Sequence, residues 1–374
     1  MQDLFSELLR VSIGHQKALS RCPDEKEWVV LFGTARKQAV VGVTFYAVRQ
    51  LPPEQVILLP ASLKMEWLAL TAQIQTRNEY VNRKCIELQQ SLADEGLKSC
   101  ILKGQGVAML YQLENENAAS GNKEPYSLLR QSGDIDVWVD AERCKVIDYV
   151  MAVFPTREFD QKHIHYHVFE NVEVEMHWIP VKRNSPKFNR VLDRYFNREK
   201  SRQFANRMLK MCVPTIDFQL VHQVLHVYAH YVYEGVGFRQ IMDLYFTQKA
   251  FVLRMENEAK GVTNLFEKLG LMKFVAGTQY VLQSVFGMDE RFLLCLPDKK
   301  EGLLLLVEME RGGNFGQYDE RNRVSGESFV HRALRRFERR WRMVRFDPWG
   351  TILMPFSRVW LEMWMRMVRR KYGV

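Results

Sequence analysis

The spacing of hydrophobic residues along the chain predicts helices on both sides of a short region of strands. Residues 1–97 place apolar side chains at helical intervals, and residues 78–95 form a polar-rich helix that stops before Gly96. Strands are predicted at residues 99–103, in the apolar run around Ile135, and in a hairpin at 164–179, with a helix at 140–154 between them. This order predicts a small mixed sheet with helices on one side.

Beyond residue 186 the pattern is again helical. Helices are predicted at residues 191–207, 217–233, 238–254, 265–286 and 303–311, and a polar loop follows at 312–327. The expected fold class is therefore α+β, a small mixed β-sheet core flanked by N-terminal and C-terminal helical regions. Its expected divisions are an N-terminal helical region (1–97), the sheet core (98–185), a helical domain (186–327) and basic, aromatic-rich C-terminal helices (328–374).

Composition places the chain among globular proteins. The 374 residues are 47% hydrophobic, the mean hydropathy is −0.26, and no apolar run reaches the roughly 18 residues of a membrane-spanning helix. The first residues lack the basic and apolar regions of a secretory signal. The six cysteines are scattered without a C-x-x-C pair. These features predict a cytoplasmic protein with reduced thiols and no transmembrane segment.

The net charge of +9 is concentrated at the C-terminus. Residues 331–374 contain twelve Lys and Arg and three Asp and Glu, so they account for the whole excess. Residues 328–345 also carry one apolar stripe. Such a tail could contact an acidic partner such as a nucleic acid, or an anionic membrane surface. The favoured alternative is a pair of helices packed on the body, because Pro348 and Pro355 interrupt the pattern as in a folded connection.

Two carboxylates separated by one apolar residue are the main chemical signal. In a strand through Ile135, Asp134 and Asp136 lie on the same face, opposite the apolar side chains. Adjacent negative charges repel each other unless a cation lies between them, and Mg²⁺ prefers carboxylate oxygens. The sequence therefore predicts a metal site suited to phosphate chemistry.

The order of four motifs resembles a known superfamily. The motifs are a strand and glycine turn at 101–104, the Asp-x-Asp strand at 130–136, a Glu-x-His-Trp strand at 172–178, and a segment at 235–243. Together they resemble the DNA polymerase beta-like nucleotidyltransferases, and within them the bacterial "uncharacterised nucleotidyltransferase" family, over most of the chain. The resemblance implies transfer of a nucleoside monophosphate from an NTP such as ATP to an unidentified small-molecule or macromolecular acceptor, with Mg²⁺ or Mn²⁺ as cofactor.

The same resemblance implies a set of catalytic and metal-binding residues. Asp134 and Asp136 would bind the metal ions together with a third carboxylate, and one carboxylate would act as general base. Glu173 and Glu175 are both candidates for the third position. Glu175 is favoured because the family pattern places the acid two residues before His177, although both glutamates could instead be the solvated face of an edge strand.

Phosphate binding is assigned to residues near the glycine turn. Gly104 permits close approach of a phosphate, Lys103 and Arg130 offer positive charge, and Gly133 precedes the aspartate strand. Lys103 could instead end an exposed strand. The chain departs from the superfamily here, because no hydroxyl side chain follows Gly104. This departure supports an alternative function, a catalytically inactive binding or scaffold protein with the nucleotidyltransferase fold.

Histidines form two further groups of candidates. His163, His165 and His167 alternate on a strand beside Lys162 and either face a metal or phosphate or form a polar hairpin face; no tetrahedral zinc set is evident. His177, on the strand face of Glu173 and Glu175, is a further candidate. His222, His226 and His230 recur every four residues along a helix, where we expect buried hydrogen bonds across helices, with Asp243 as a partner. Arg239 and Asp243 are also candidates for closing over the nucleotide.

Overall fold

The computed structural model describes residues 2–113, 125–208, 210–319, 344 and 348–374. Within them the helices are α1 Gln2–Ser12, α2 Glu25–Lys37, α3 Val41–Gln50, α4 Ala61–Asp94, α5 Gln105–Ala108, α6 Arg143–Val153, α7 Pro186–Gln203, α8 Ile216–Tyr233, α9 Phe238–Met255, α10 Ala259–Lys268, α11 Met272–Phe286, α12 Lys299–Gly312 and α13 Pro348–Tyr372. The strands are β1 Ser99–Ile101, β2 Ile135–Val139, β3 His163–His165, β4 Val174–His177, β5 Arg207–Met208 and β6 Met211–Cys212. The predicted α+β class is confirmed.

The central sheet has the order β1-β2-β4-β3 and is mixed. β1 runs antiparallel to β2, β2 runs parallel to β4, and β3 and β4 form the predicted antiparallel hairpin. The parallel pair brings together two strands that are separated in sequence by α6 and β3, as a crossover connection requires. Asp136 on β2 consequently lies opposite Glu175 on β4.

Helices cover both faces of this sheet, so the prediction of helices on one side only is wrong. Ile135, Val137 and Val139 pack in one hydrophobic cluster with buried residues of α4 and α6. On the other face, Trp138 stacks on Phe218 of α8, with ring centroids 5.5 Å apart. The α7 and α8 helices follow the sheet in sequence and fold back over its second face. The alternation of polar and apolar residues in β2 does not predict this.

The predicted helix at 265–286 is divided into α10 and α11. Gly270 lies between them with φ +67°, a backbone conformation that glycine adopts without strain. Leu269 and Leu271 on either side are fully buried. The hydrophobic pattern therefore continues across the turn although the helix does not, which explains why spacing alone predicted one element.

The C-terminal helix α13 packs on the sheet core through one of its faces. Trp364 is buried against Phe159 and Trp178, with ring centroids 5.6 and 6.5 Å away. Phe356 and Trp360 are exposed. The packed-helix alternative is thus met by part of the tail, whereas the amphipathic segment predicted at 328–345 falls, apart from residue 344, outside the described residues. In the described part of the chain, no helix is both long and apolar enough to cross a membrane.

Candidate active site

The register of the sheet collects carboxylates and imidazoles on the face that α8 covers. Asp136, Glu175 and His165 lie opposite one another across β2, β4 and β3. His163 on β3 and His177 on β4 form the next pair along these two strands. Side chains two residues apart on a strand share a face, so these five groups lie on one surface.

Lys103 places a positive charge beside both aspartates. Its Nζ lies 3.1 Å from Asp136 Oδ2 and 3.7 Å from Asp134 Oδ2. The residue follows β1, which pairs with β2, and Gly104 then turns the chain away with φ +62°. Lys103 is largely buried, so the alternative in which it ends an exposed strand is wrong.

His177 joins the two carboxylates that face each other across the strands. Its Nε2 lies 3.1 Å from Asp136 Oδ1 and 3.2 Å from Glu175 Oε2. Because both acceptors are carboxylates, Nε2 carries the proton and donates it to them. His177 and Asp136 are almost completely buried, which strengthens these charge-assisted contacts.

The neighbouring charges hold the carboxylates ionised despite their burial. Burial alone would raise the pKa of Asp136, but the Lys103 ammonium and the His177 hydrogen bond outweigh it and lower that pKa. The pKa of Glu175 is lowered in the same way, against burial, by His177 and Lys103. Burial alone would lower the pKa values of the two cations, Lys103 and His177. The surrounding carboxylates outweigh burial, so both pKa values are raised.

The histidines of α8 extend this network away from the sheet. His226 Nε2 lies 3.1 Å from Lys103 Nζ and 2.8 Å from His230 Nε2, and His230 Nδ1 contacts Glu234 at 2.8 Å. Burial lowers the pKa of His222 to about 3. His222 is buried as predicted. His226 is only partly buried, and its hydrogen bonds go to Lys103 and to His230 of the same helix, so the predicted bonding across helices is wrong for it. The hydrogen bonds described for these histidines do not involve Asp243, contrary to the prediction.

Asp243 instead forms a buried ion pair with Arg130. Arg130 Nε and Nη2 donate to the two carboxylate oxygens at 2.6 and 2.8 Å, and the Tyr111 hydroxyl also donates to Asp243 at 2.7 Å. This bidentate pair ties the segment before β2 to α9. The guanidinium of Arg130 is thereby committed to Asp243, and its assignment to phosphate stays a prediction.

Arg239 lies beside the segment that leads into the aspartate strand. Its Nη1 donates to the carbonyl of Gln131 at 3.2 Å, and its guanidinium lies 5.0 Å from the Phe315 ring centroid. A Cβ placed on Gly133 would come within 3.9 Å of Arg239 Nη1. Burial lowers the pKa of Arg239 to about 10. Its role in closing over a nucleotide stays a prediction.

The structure separates the two glutamates that the sequence left as alternatives. Glu175 is on β4 opposite Asp136, whereas Glu173 precedes that strand and is exposed. Asp134 also lies just before its strand, and its Oδ2 lies 3.7 Å from the Lys103 Nζ that contacts Asp136. The contact between Lys103 and His226 joins residues far apart in sequence and was not predicted. The sequence indicated only that His226 belongs to a row of histidines spaced four residues apart on one helix.

The donor atoms at this site fit a divalent cation. Atoms of Asp136, Glu175 and His177 all lie within 4.8 Å of one another. Asp136 Oδ2 is buried and is paired with the Lys103 ammonium, whose Nζ lies 3.1 Å away. Ionised carboxylate oxygens grouped in this way are ligands that Mg²⁺ and Mn²⁺ prefer, and such an ion would take the place that the ammonium now holds.

Comparison with known proteins supports one family. The model of the family described as "Uncharacterised nucleotidyltransferase" matches residues 24–287, well over half of the chain and the whole of the site. Comparison with curated proteins and with solved structures gives no match. The sheet, its aspartates and the family match agree, and the chain belongs to the uncharacterised nucleotidyltransferase family.

Proposed function

We propose that this protein is a Mg²⁺-dependent nucleotidyltransferase that transfers a nucleoside monophosphate from an NTP to an acceptor. The observation that carries the proposal is the pairing of Asp136 with Glu175 across β2 and β4, beside a Lys103 ammonium that also contacts Asp134. Asp136 and Glu175 are ionised although largely buried. With Asp134, the acidic groups outnumber the two cations beside them, so the cluster can hold a further cation. The family match supports transferase chemistry at the same position in the chain.

Each residue of the site has a distinct task in this proposal. Asp134, Asp136 and Glu175 hold Mg²⁺ or Mn²⁺, and the bound ion would neutralise charge on the triphosphate. Lys103 would contact a phosphate oxygen from the position in which it now neutralises the aspartates. His177 fixes the orientation of Asp136 and Glu175. One of the three carboxylates accepts the proton of the attacking acceptor group.

A second candidate function is a catalytically inactive binding or scaffold protein. The residue after Gly104 is Gln105, whose side-chain amide donates to Asn82 Oδ1 in α4. That side chain is buried and bonded to α4, so it does not replace the hydroxyl that the superfamily usually offers to phosphate. A protein that had lost transfer activity would keep the fold without needing the metal.

Nucleotide binding by calorimetry tests the proposal directly. We expect the wild-type protein to bind an NTP in the presence of Mg²⁺ and to bind it much more weakly after chelation. Asp136→Asn and Glu175→Gln should each lose metal-dependent binding, because each removes a carboxylate from the cation site. Glu173→Gln is the matched control, since its side chain is exposed and lies outside the cluster.

Product formation separates the two candidate functions. Incubation with α-labelled NTPs, Mg²⁺ and a panel of acceptors should transfer label in the wild type and not in Asp136→Asn. NTP binding without any transfer across small-molecule and macromolecular acceptors would favour the binding protein. Equal NTP binding by the wild type and Asp136→Asn would refute the proposed metal site.

A further inference from the structure

Glu175 occupies the middle of the polar sheet face, with potential ligands on both sides. Asp136 lies opposite it on β2, and His165 lies opposite it on β3. The β2 side offers carboxylate oxygens, from Asp136 and Asp134. The β3 side offers imidazole nitrogens, from His165 and His163. One carboxylate therefore separates two chemically different sets of donors.

Potential ligand atoms on the β3 side lie close together. His163 Nδ1 lies 3.1 Å from Glu175 Oε2, and ligand atoms of His163, His165 and Glu175 all lie within 4.8 Å of one another. The Nδ1 atoms of both histidines are buried and make no hydrogen bond within the described residues. The His163 side chain is 10% exposed. Buried nitrogens normally have partners, so these two require an explanation.

We propose that His163, His165 and Glu175 form a second cation position that binds a first-row transition-metal ion such as Zn²⁺ or Co²⁺. Two imidazoles and one carboxylate are the donor types that such ions prefer, whereas Mg²⁺ prefers oxygen ligands alone. Three protein ligands leave a coordination position open for water or a bound group. The position is next to the proposed Mg²⁺ site and shares Glu175 with it.

Further carboxylates support a cation on this side. Asp160 Oδ1 lies 3.9 Å from His163 Nδ1, and Glu158 Oε2 lies 3.9 Å from His165 Nδ1. At these distances they add negative charge around the histidines. His167 lies farther along the same segment and faces Glu158 at 3.5 Å, outside the group of three. It therefore provides a matched control.

The two positions can be distinguished by competition between metals. Metal-free, full-length protein is titrated with Co²⁺ in excess Mg²⁺, without NTP, and the visible absorption of bound Co²⁺ is recorded. We expect a Co²⁺ site that Mg²⁺ does not displace, because nitrogen ligands disfavour Mg²⁺. His163→Gln and His165→Gln should each weaken Co²⁺ binding by at least about tenfold. His167→Gln and Asp134→Asn should retain the Mg²⁺-resistant site.

A change of ligand gives a readout that does not depend on loss of binding. His165→Cys should keep Co²⁺ bound and add a thiolate-to-cobalt charge-transfer band, while circular dichroism reports that the fold is retained. Complete displacement of Co²⁺ by Mg²⁺ in the wild type would overturn the proposal. So would unchanged binding in folded His163→Gln and His165→Gln, which would leave these histidines as hydrogen-bonding neighbours of Glu175. Because no nucleotide is present, these results are independent of transfer activity.

Discussion

Replacing Lys103 by Met tests whether its ammonium occupies the place of a metal ion. Methionine keeps an unbranched apolar side chain of similar length but removes the positive charge. The ammonium lies 3.1 Å from Asp136 Oδ2 and 3.7 Å from Asp134 Oδ2. Without it, two carboxylates and Glu175 face each other with His177 as the remaining cation of the cluster.

The expected loss follows from the burial of this pair. Two unit charges 3.1 Å apart attract by about 5 kcal/mol at an effective dielectric constant of 20. Desolvation offsets much of that attraction, but removing one partner leaves a buried charge uncompensated, which costs about 3–5 kcal/mol. His177 still donates to Asp136. We therefore expect the metal-free variant to lose about 3 kcal/mol in free energy of unfolding, the lower end of that range.

Urea denaturation with and without Mg²⁺ measures both parts of the prediction. A ligand that binds only the folded state stabilises it in proportion to the logarithm of its concentration over Kd. Lys103→Met lacks the competing ammonium, so Mg²⁺ should stabilise it more than it stabilises the wild type. Lys98→Met is the control, because Lys98 is an exposed lysine just before the same strand. It should change stability by less than about 0.5 kcal/mol.

Two results would refute this reasoning. If Lys103→Met is as stable as Lys98→Met without metal, the carboxylates do not depend on the ammonium. If Mg²⁺ stabilises the wild type and Lys103→Met equally, the ammonium and the metal do not compete for one position. Either result would also remove the main electrostatic argument for a metal at Asp134 and Asp136.

Three further predictions concern the groups around the site. Burial lowers the pKa of His222 to about 3, so below pH 6.5 the unfolded chain takes up a proton that the folded chain does not. Stability should therefore fall as the pH drops from 6.5 towards 3, by up to about 1.4 kcal/mol per pH unit from this group. His222→Phe should flatten that part of a urea-denaturation profile, and parallel profiles would contradict this. Gly104→Ala should cost about 1–3 kcal/mol because φ is positive there. Gly33→Ala in α2, with nothing within 4 Å of the added Cβ, should be neutral or stabilise by up to about 1 kcal/mol. Similar losses of stability in the two alanine variants would contradict this prediction. Trp364→Ala should cost about 3–5 kcal/mol of unfolding free energy as a buried aromatic, whereas exposed Trp360→Ala should cost less than about 0.5 kcal/mol. Equal effects would show that α13 does not pack as described.

The sequence by itself determined which face of the aspartate strand is apolar. Side chains alternate along a strand, so Ile135 and Val137 had to face away from Asp136, and both are buried in the apolar cluster. The family motifs likewise favoured Glu175 over Glu173 as the candidate third acid. These are local statements, since they depend on residues within a few positions of each other.

Only the tertiary structure decided which groups meet across the chain. Lys103 and His226 are 123 residues apart, and Arg130 and Asp243 are 113 residues apart. No spacing within one element reports such partners, because they depend on how α8 and α9 pack on the core. The same packing gave Asp243 to Arg130 and Tyr111 and not to the α8 histidines.

The register of β4 shows the difference between what sequence periodicity predicts and what strand pairing decides. Glu173 and Glu175 have the same alternation, and sequence periodicity treats them alike. Pairing with β2 places Glu175 opposite Asp136, while Glu173 falls before the strand and stays in solvent. Strand pairing joins distant segments and is selected by the burial of the whole apolar face. The motifs therefore determined which residue types are present at the candidate site, and packing determined how these residues are arranged.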